Sequence, residues 1–147
     1  MRVANSIFCE DIRSEIGNKI SLMGVFASDI LFPGPPPSQL PKFGAVVWLI
    51  SERDNVPKKF SIRILVPPNS TELAKIDAEG ELPLSGEPDE FSKHAVIRVI
   101  IPMANLVLME EGYLELMVDT EDAETIRAGR LKIRFNVSAD EMGLPAI

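Results

Sequence analysis

Cys9 is the only thiol in the chain and His94 the only imidazole, so nucleophilic catalysis by a Cys–His pair would have to use both. Cys9 stands beside Glu10 and Asp11, whose negative charge raises a thiol pKa and lowers the thiolate fraction at neutral pH. Such a Cys reads as a small buried hydrophobe, and His94 as a half-exposed residue opening a strand. One Cys and one His cannot complete the tetrahedral ligand set of a zinc centre without carboxylates. Asp119, Glu121, Asp122 and Glu124 are a denser group of hard oxygen donors, with Glu10 and Asp11 as further carboxylates from another strand end. Calcium favours such oxygens, but the spacing matches no D-x-D-x-D-G loop and a solvated charged turn accounts for it. No metal and no cofactor are expected. Phosphate loops, zincin helices, nucleophile elbows and dinucleotide fingerprints have no counterpart here, so no catalytic residue is assigned and the chain reads as a non-enzyme.

The cations offer a different chemistry. Arg130, Lys132 and Arg134 alternate along one strand face, and Arg63 and Arg98 are the outward charges of two other strands. If those strands share a sheet, these residues line one surface on which Arg forks grip a phosphate, a nucleotide or an acidic partner bidentately. The competing reading neutralises the stripe with Glu115 and Asp119 across the strands. Nucleic-acid binding is not expected. The chain carries 15 Lys plus Arg against 22 Asp plus Glu, a formal charge of −7, and only Tyr113 is placed among the cations to stack on a base. Leu65, Val96, Ile100 and Met117 are apolar residues at outward positions. They mark a face covered either by the connecting loops or by another subunit.

Strands must position all of these residues, because period-two alternation dominates the chain. Leu131, Ile133, Phe135 and Val137 alternate with Arg130, Lys132, Arg134 and Asn136. Leu114, Leu116 and Val118 alternate with Tyr113, Glu115, Met117 and Asp119 in the same way. Phe60 to Val66 and His94 to Ile101 follow the same pattern, whereas Phe43 to Ile50 is apolar on both faces and reads as a central strand. Weaker strands cover Arg2 to Cys9, Ile20 to Phe32 with a bend near Ser28 and Asp29, and Leu73 to Gly80. Turn signals fall at Gly17-Asn18, Asp54-Asn55, Pro67-Pro68-Asn69 and Gly86-Glu87-Pro88-Asp89. Single helical turns are expected over Asp11 to Ile16 and Glu121 to Ala128. The sum is an all-β fold, an antiparallel β-sandwich of about eight strands, Greek-key, immunoglobulin-like or C2-like.

The 147 residues form a single domain, 1–147, of a size that buries about 70% of its unfolded surface. Pro33-Gly34-Pro35-Pro36-Pro37 is a rigid crossover between sheets, anchored by Phe32, Leu40 and Phe43. In the C-terminal hairpin a residue sum of 249 sets Glu115 opposite Arg134 and Asp119 opposite Arg130, pairing opposite charges. The N-terminus does not read as a signal peptide, no apolar run is long enough for a spanning helix, and the unpaired Cys9 agrees with a reducing, cytoplasmic location.

Cys9-Glu10-Asp11-Ile12-Arg13, Lys19-Ile20-Ser21-Leu22-Met23-Gly24-Val25-Phe26 and Leu40-Pro41-Lys42 resemble a family of uncharacterised small bacterial proteins, with a C-E-D-I-R turn followed by a K-x-S-L-x-G-V strand and an L-P-K step. Gly112-Tyr113 and Arg130-Leu131-Lys132-Ile133 fit the same layout. The resemblance implies a bacterial or phage source and attaches no activity. The residues themselves favour a non-catalytic protein-interaction or assembly module that self-associates, with a small-anion binder using the basic face as the alternative.

Overall fold

A computed structural model describes residues 2–79 and 93–143. The strands in chain order are β1 (Val3–Glu15), β2 (Lys19–Phe26), β3 (Asp29–Leu31), β4 (Ser38–Glu52), β5 (Lys59–Val66), β6 (Thr71–Glu79), β7 (His94–Leu108), β8 (Gly112–Thr120) and β9 (Thr125–Arg134). They form a β-sandwich: a four-stranded sheet ordered β2-β1-β4-β7 and a five-stranded sheet ordered β3-β9-β8-β5-β6. The alternating residues meet in one core. Phe43, Ala45, Val47 and Leu49 of β4 face Phe60, Ile62 and Ile64 of β5, Leu114, Leu116 and Val118 of β8, and Leu131 and Ile133 of β9. Phe8 stacks on Phe43 at 5.9 Å and Phe32 on Phe135 at 5.2 Å. Among the described residues no helix is long and apolar enough to cross a membrane.

The bend expected near Ser28 is the point where the chain leaves one sheet for the other, β2 lying in the first and β3 in the second. The proline stretch carries it back to β4, with Phe32 and Phe43 buried at its ends and Leu40 packed against the core. One pair departs from the antiparallel expectation: β3 runs parallel to β9, Ile30 beside Ile133. The Gly86–Asp89 turn lies outside the described residues.

Two helical turns are corrected. Asp11 to Glu15 continues β1, because Gly17 and Asn18 both take positive φ (83° and 57°) and fold the chain straight onto β2, pairing Glu15 with Lys19. Thr125 to Ala128 belongs to β9. His94 to Ile101 is also only the first half of β7, which runs on through Pro102 to Leu108 at the edge of its sheet.

The hairpin register differs from the expected one. Tyr113 faces Lys132 and Glu115 faces Arg130, and beyond a shift at Leu116/Met117 the pairs become Met117–Arg127 and Asp119–Thr125. The cause is a short turn, in which Thr120 N–H donates to Glu124 O (2.9 Å), Ala123 N–H donates to Thr120 O (3.2 Å) and Ala123 takes a positive φ. Ala128 is the extra residue of the resulting bulge, which brings Ile126 and Ala128 as well as Leu131 and Ile133 onto the core. The same bulge is a tie between sheets, since Ser6 Oγ donates to Ala128 O at 3.0 Å.

Candidate interaction surface

The inward residues of β4 are Ala45, Val47 and Leu49, so alternation turns Gly44, Val46, Trp48 and Ile50 to the outer side of the four-stranded sheet. Register then builds rows of side chains. Val3 of β1, Ile50 of β4 and Val96 of β7 form one row; Asn5, Trp48 and Arg98 the next; Ile7, Val46 and Ile100 the third. A further row holds Val25, Cys9, Gly44 and Pro102. Val46 is completely covered by this layer, whereas Val25 (56%), Val96 (52%), Val3 (40%) and Ile7 (36%) remain exposed. Trp48, Ile50 and Ile100 are half-buried. Arg98 is the single charge within these rows. A surface monomer normally scatters its exposed apolar residues, and a contiguous apolar patch spanning several strands is a mark of an interaction site.

The opposite face, outside the five-stranded sheet, has a different character. Arg63, Arg130, Lys132 and Arg134 all project from it, but Arg98 does not, because β7 lies in the other sheet. The cations expected on one surface are therefore split between opposite sides of the molecule. Those on the five-stranded sheet are largely engaged. Arg63 grips Asp119 through both Nε (2.5 Å) and Nη2 (3.1 Å), and this hydrogen bonding holds the Asp119 carboxyl below its ordinary range, helped by Thr125 Oγ1. Arg134 lies 3.8 Å from Asp29 and 3.2 Å from Glu141, and Arg127 lies 3.7 Å from Glu115. Arg130 covers the Tyr113 ring at 4.5 Å, a cation–π contact. Lys132 has no ion pair among the described residues.

The four apolar interface candidates are likewise divided. Val96 and Ile100 belong to the apolar rows, whereas Leu65 and Met117 sit half-buried among the charges of the five-stranded sheet, Met117 facing Arg63 and Leu65 facing Glu115. Val3, Ile7, Val25, Trp48 and Ile50 complete the apolar surface and were not singled out from sequence. For Trp48 and Ile50 the signal was present in Phe43 to Ile50, apolar on both faces. Full cover on both sides was the simplest reading of that run; the second side is instead the open layer.

The other candidates resolve geometrically. Cys9 faces Gly44 and His94 faces Glu52, eight residues further along β4, which is about 26 Å at about 3.3 Å per residue; no dyad forms. Burial, with the charge of Asp11 second, pushes the Cys9 thiol up. The acidic turn is spent on protein donors: Asp119 on Arg63, Asp122 on Arg2 (2.6 Å) and Glu121 on the Lys58 N–H (2.8 Å). Glu10 and Asp11 do not join it. Asp11 pairs with Lys42 at 3.7 Å, at the far end of β1 from Arg2.

Arg2 is a residue that sequence reasoning missed. Its buried guanidinium donates to Asn55 O (3.0 Å) and Asn55 Oδ1 (3.2 Å) as well as to Asp122, clipping the start of β1 to two connections that come from distant parts of the chain. No local pattern announces such a clip. No curated protein matches this chain, and no solved structure does. The model of one family of unknown function matches residues 5–135, from Asn5 in β1 to Phe135 beyond β9, and the chain accordingly belongs to the DUF6941 family.

Proposed function

We propose that this protein is a non-catalytic assembly module whose copies associate through the apolar outer face of the four-stranded sheet. The observation that carries this reading is the set of rows running from Val3, Ile7 and Val25 across Trp48 and Ile50 to Val96 and Ile100. Burying such rows releases water from apolar surface, the main driving force of association. A second copy is the occupant that the charges favour. Each chain carries a net −7 and repels its like almost everywhere, but the rows hold no carboxylate and one cation. Two copies meeting here place Arg98 in the negative field of the partner and bring no like-charged carboxylates together. An aromatic and aliphatic centre with an Arg at its side is also the composition that interface cores favour. Sedimentation equilibrium at micromolar concentration tests the reading. The wild type has a mass that is a multiple of the chain's, and Val25→Glu or Ile7→Glu lowers that mass at unchanged far-ultraviolet circular dichroism; a monomeric wild type refutes it.

A further inference from the structure

The outer face leaves one element of the same sheet unused. β7 is the edge strand, and among the described residues it pairs only with β4. A free edge is a row of unpaired backbone N–H and C=O groups, which proteins ordinarily blunt with charges, prolines, bulges or brevity. The other edges show those devices. β6 carries Glu72, Lys75, Asp77 and Glu79, β2 has Gly24 at a positive φ, and β3 is three residues long. In β7 Pro102 and the positive-φ Asn105 guard the second half. The stretch His94-Ala95-Val96-Ile97-Arg98-Val99-Ile100-Ile101 carries a single Arg and no other guard.

Pro102 also fixes which way the backbone groups point. A proline in a sheet sits where its missing N–H would face away from the ladder, so at Pro102 that direction is the free edge. The β4–β7 register runs without a shift from Glu52–His94 to Gly44–Pro102, and backbone direction alternates residue by residue. The N–H and C=O groups of His94, Val96, Arg98 and Ile100 therefore point outward from the sheet edge, while those of Ala95, Ile97 and Val99 serve β4.

We propose that this segment pairs antiparallel with the same segment of a second copy, Val96 opposite the partner's Arg98 and Ile97 opposite the partner's Ile97 about a twofold axis. Preserving the inner and outer faces requires an even residue sum; a sum below 194 leaves Ile100 with no opposite residue among those described, and two observations exclude the higher sums. Setting Arg98 against the partner's Arg98 would oppose like charges directly. Shifting further would set Pro102 against the partner's Val96 and lose a donor on each side. The chosen register confines the ladder to His94–Ile100 and uses every outward N–H in it. The twofold axis of this pairing is perpendicular to the sheet, whereas an axis relating two stacked faces lies parallel to it. The two contacts together close a tetramer of dihedral symmetry. The inference rests on the face reading for the tetramer, and the edge pairing stands on its own.

The test uses Ile97→Cys in a Cys9→Ala background. The paired positions form a non-hydrogen-bonded pair with Cα atoms about 4.5 Å apart, inside the range that a disulfide bridges. Mild oxidation gives a disulfide-linked dimer in high yield, and Val99→Cys in the same background, which faces the partner's Ala95, gives at least tenfold less. Arg98→Pro removes an edge donor and lowers the native mass by half, while Arg98→Ala, which keeps the N–H, does not. If Ile97→Cys stays uncrosslinked and Arg98→Pro keeps the wild-type mass, the edge pairing is wrong. The face reading then survives or falls by Val25→Glu, which under the proposal stops assembly at the edge dimer that Ile97→Cys still crosslinks. Should Arg98→Pro unfold, the contrast between Ile97→Cys and Val99→Cys decides alone.

Discussion

Arg2 shows how much a single side chain holds. It is 7% exposed, and its three hydrogen bonds join β1 to the turn after β4 and to the β8–β9 turn. Arg2→Ala removes them but leaves Asp122 in water (58% exposed), so no charge is stranded; the expected cost is about 2 kcal/mol, read as a fall in Tm of about 5 °C. The Arg63–Asp119 pair is pH-dependent. The Asp119 carboxyl is depressed in the folded state by its hydrogen bond from Arg63, so its contribution is full above the ordinary carboxylate value of 3.8 and is lost as pH falls through the lower, folded value. Asp119→Asn is expected to cost about 1 kcal/mol at neutral pH, given partial exposure, and the Tm gap to wild type should close below pH 3.8. At this scale the sequence was informative about the surroundings of Cys9. The acidic neighbour of Cys9 predicted the direction of its pKa, although burial is the larger cause. It was silent on Arg2 and gave Asp119 the wrong cross-strand partner, Arg130 in place of Arg63, because both contacts join residues that only the tertiary fold makes neighbours.

Strands were legible wherever one face met the core, since alternation is a local property that burial enforces. Phe60 to Val66 and Tyr113 to Asp119 have the expected inward sets, all buried. What failed was the register of β8 on β9, which a turn of few residues and the bulge at Ala128 decide and which charge pairing cannot override at a few tenths of a kcal/mol per pair. The arm of β1 from Asp11 to Glu15 failed for a related reason, its polar residues being held by the turn at Gly17-Asn18 and not by a core. Gly129 tests the account of the bulge. A Cβ there would run into Ser6 Oγ and the Phe8 ring, at the point where β1 and β9 tie the two sheets together. Gly129→Ala should therefore cost about 2 kcal/mol through overpacking, whereas Gly34→Ala, with open space around it, should change stability by less than about 0.5 kcal/mol. Thermal unfolding of the two variants side by side checks this.

The whole molecule is two-faced. One outer surface is a network of paired charges over the five-stranded sheet; the other carries the apolar rows, in which Arg98 is the single charge. The alternation of residues in the sequence marks both kinds of outward residue, but it cannot assign strands to sheets, so Arg98 was grouped with cations that lie on the far side, and Leu65 and Met117 with apolar residues that they never meet. Because the rows lack carboxylates while each chain carries −7, association through them is opposed mainly by the long-range charge of the two bodies. Raising ionic strength should tighten self-association, since screening shortens that repulsion to about 8 Å at physiological salt and leaves the apolar burial intact; weaker association in salt would assign the contact to the charged face instead. The most direct test of the central claim is collisional quenching of Trp48. It is the only tryptophan in the chain and lies between Asn5 and Arg98 at the middle of the rows. Val25 is in a different row, two strands away, so Val25→Glu does not touch it. The account predicts that acrylamide quenches Trp48 several-fold less in the associated wild type than in Val25→Glu, and that dilution of the wild type abolishes the difference. Equal quenching of the two proteins at every concentration would contradict it.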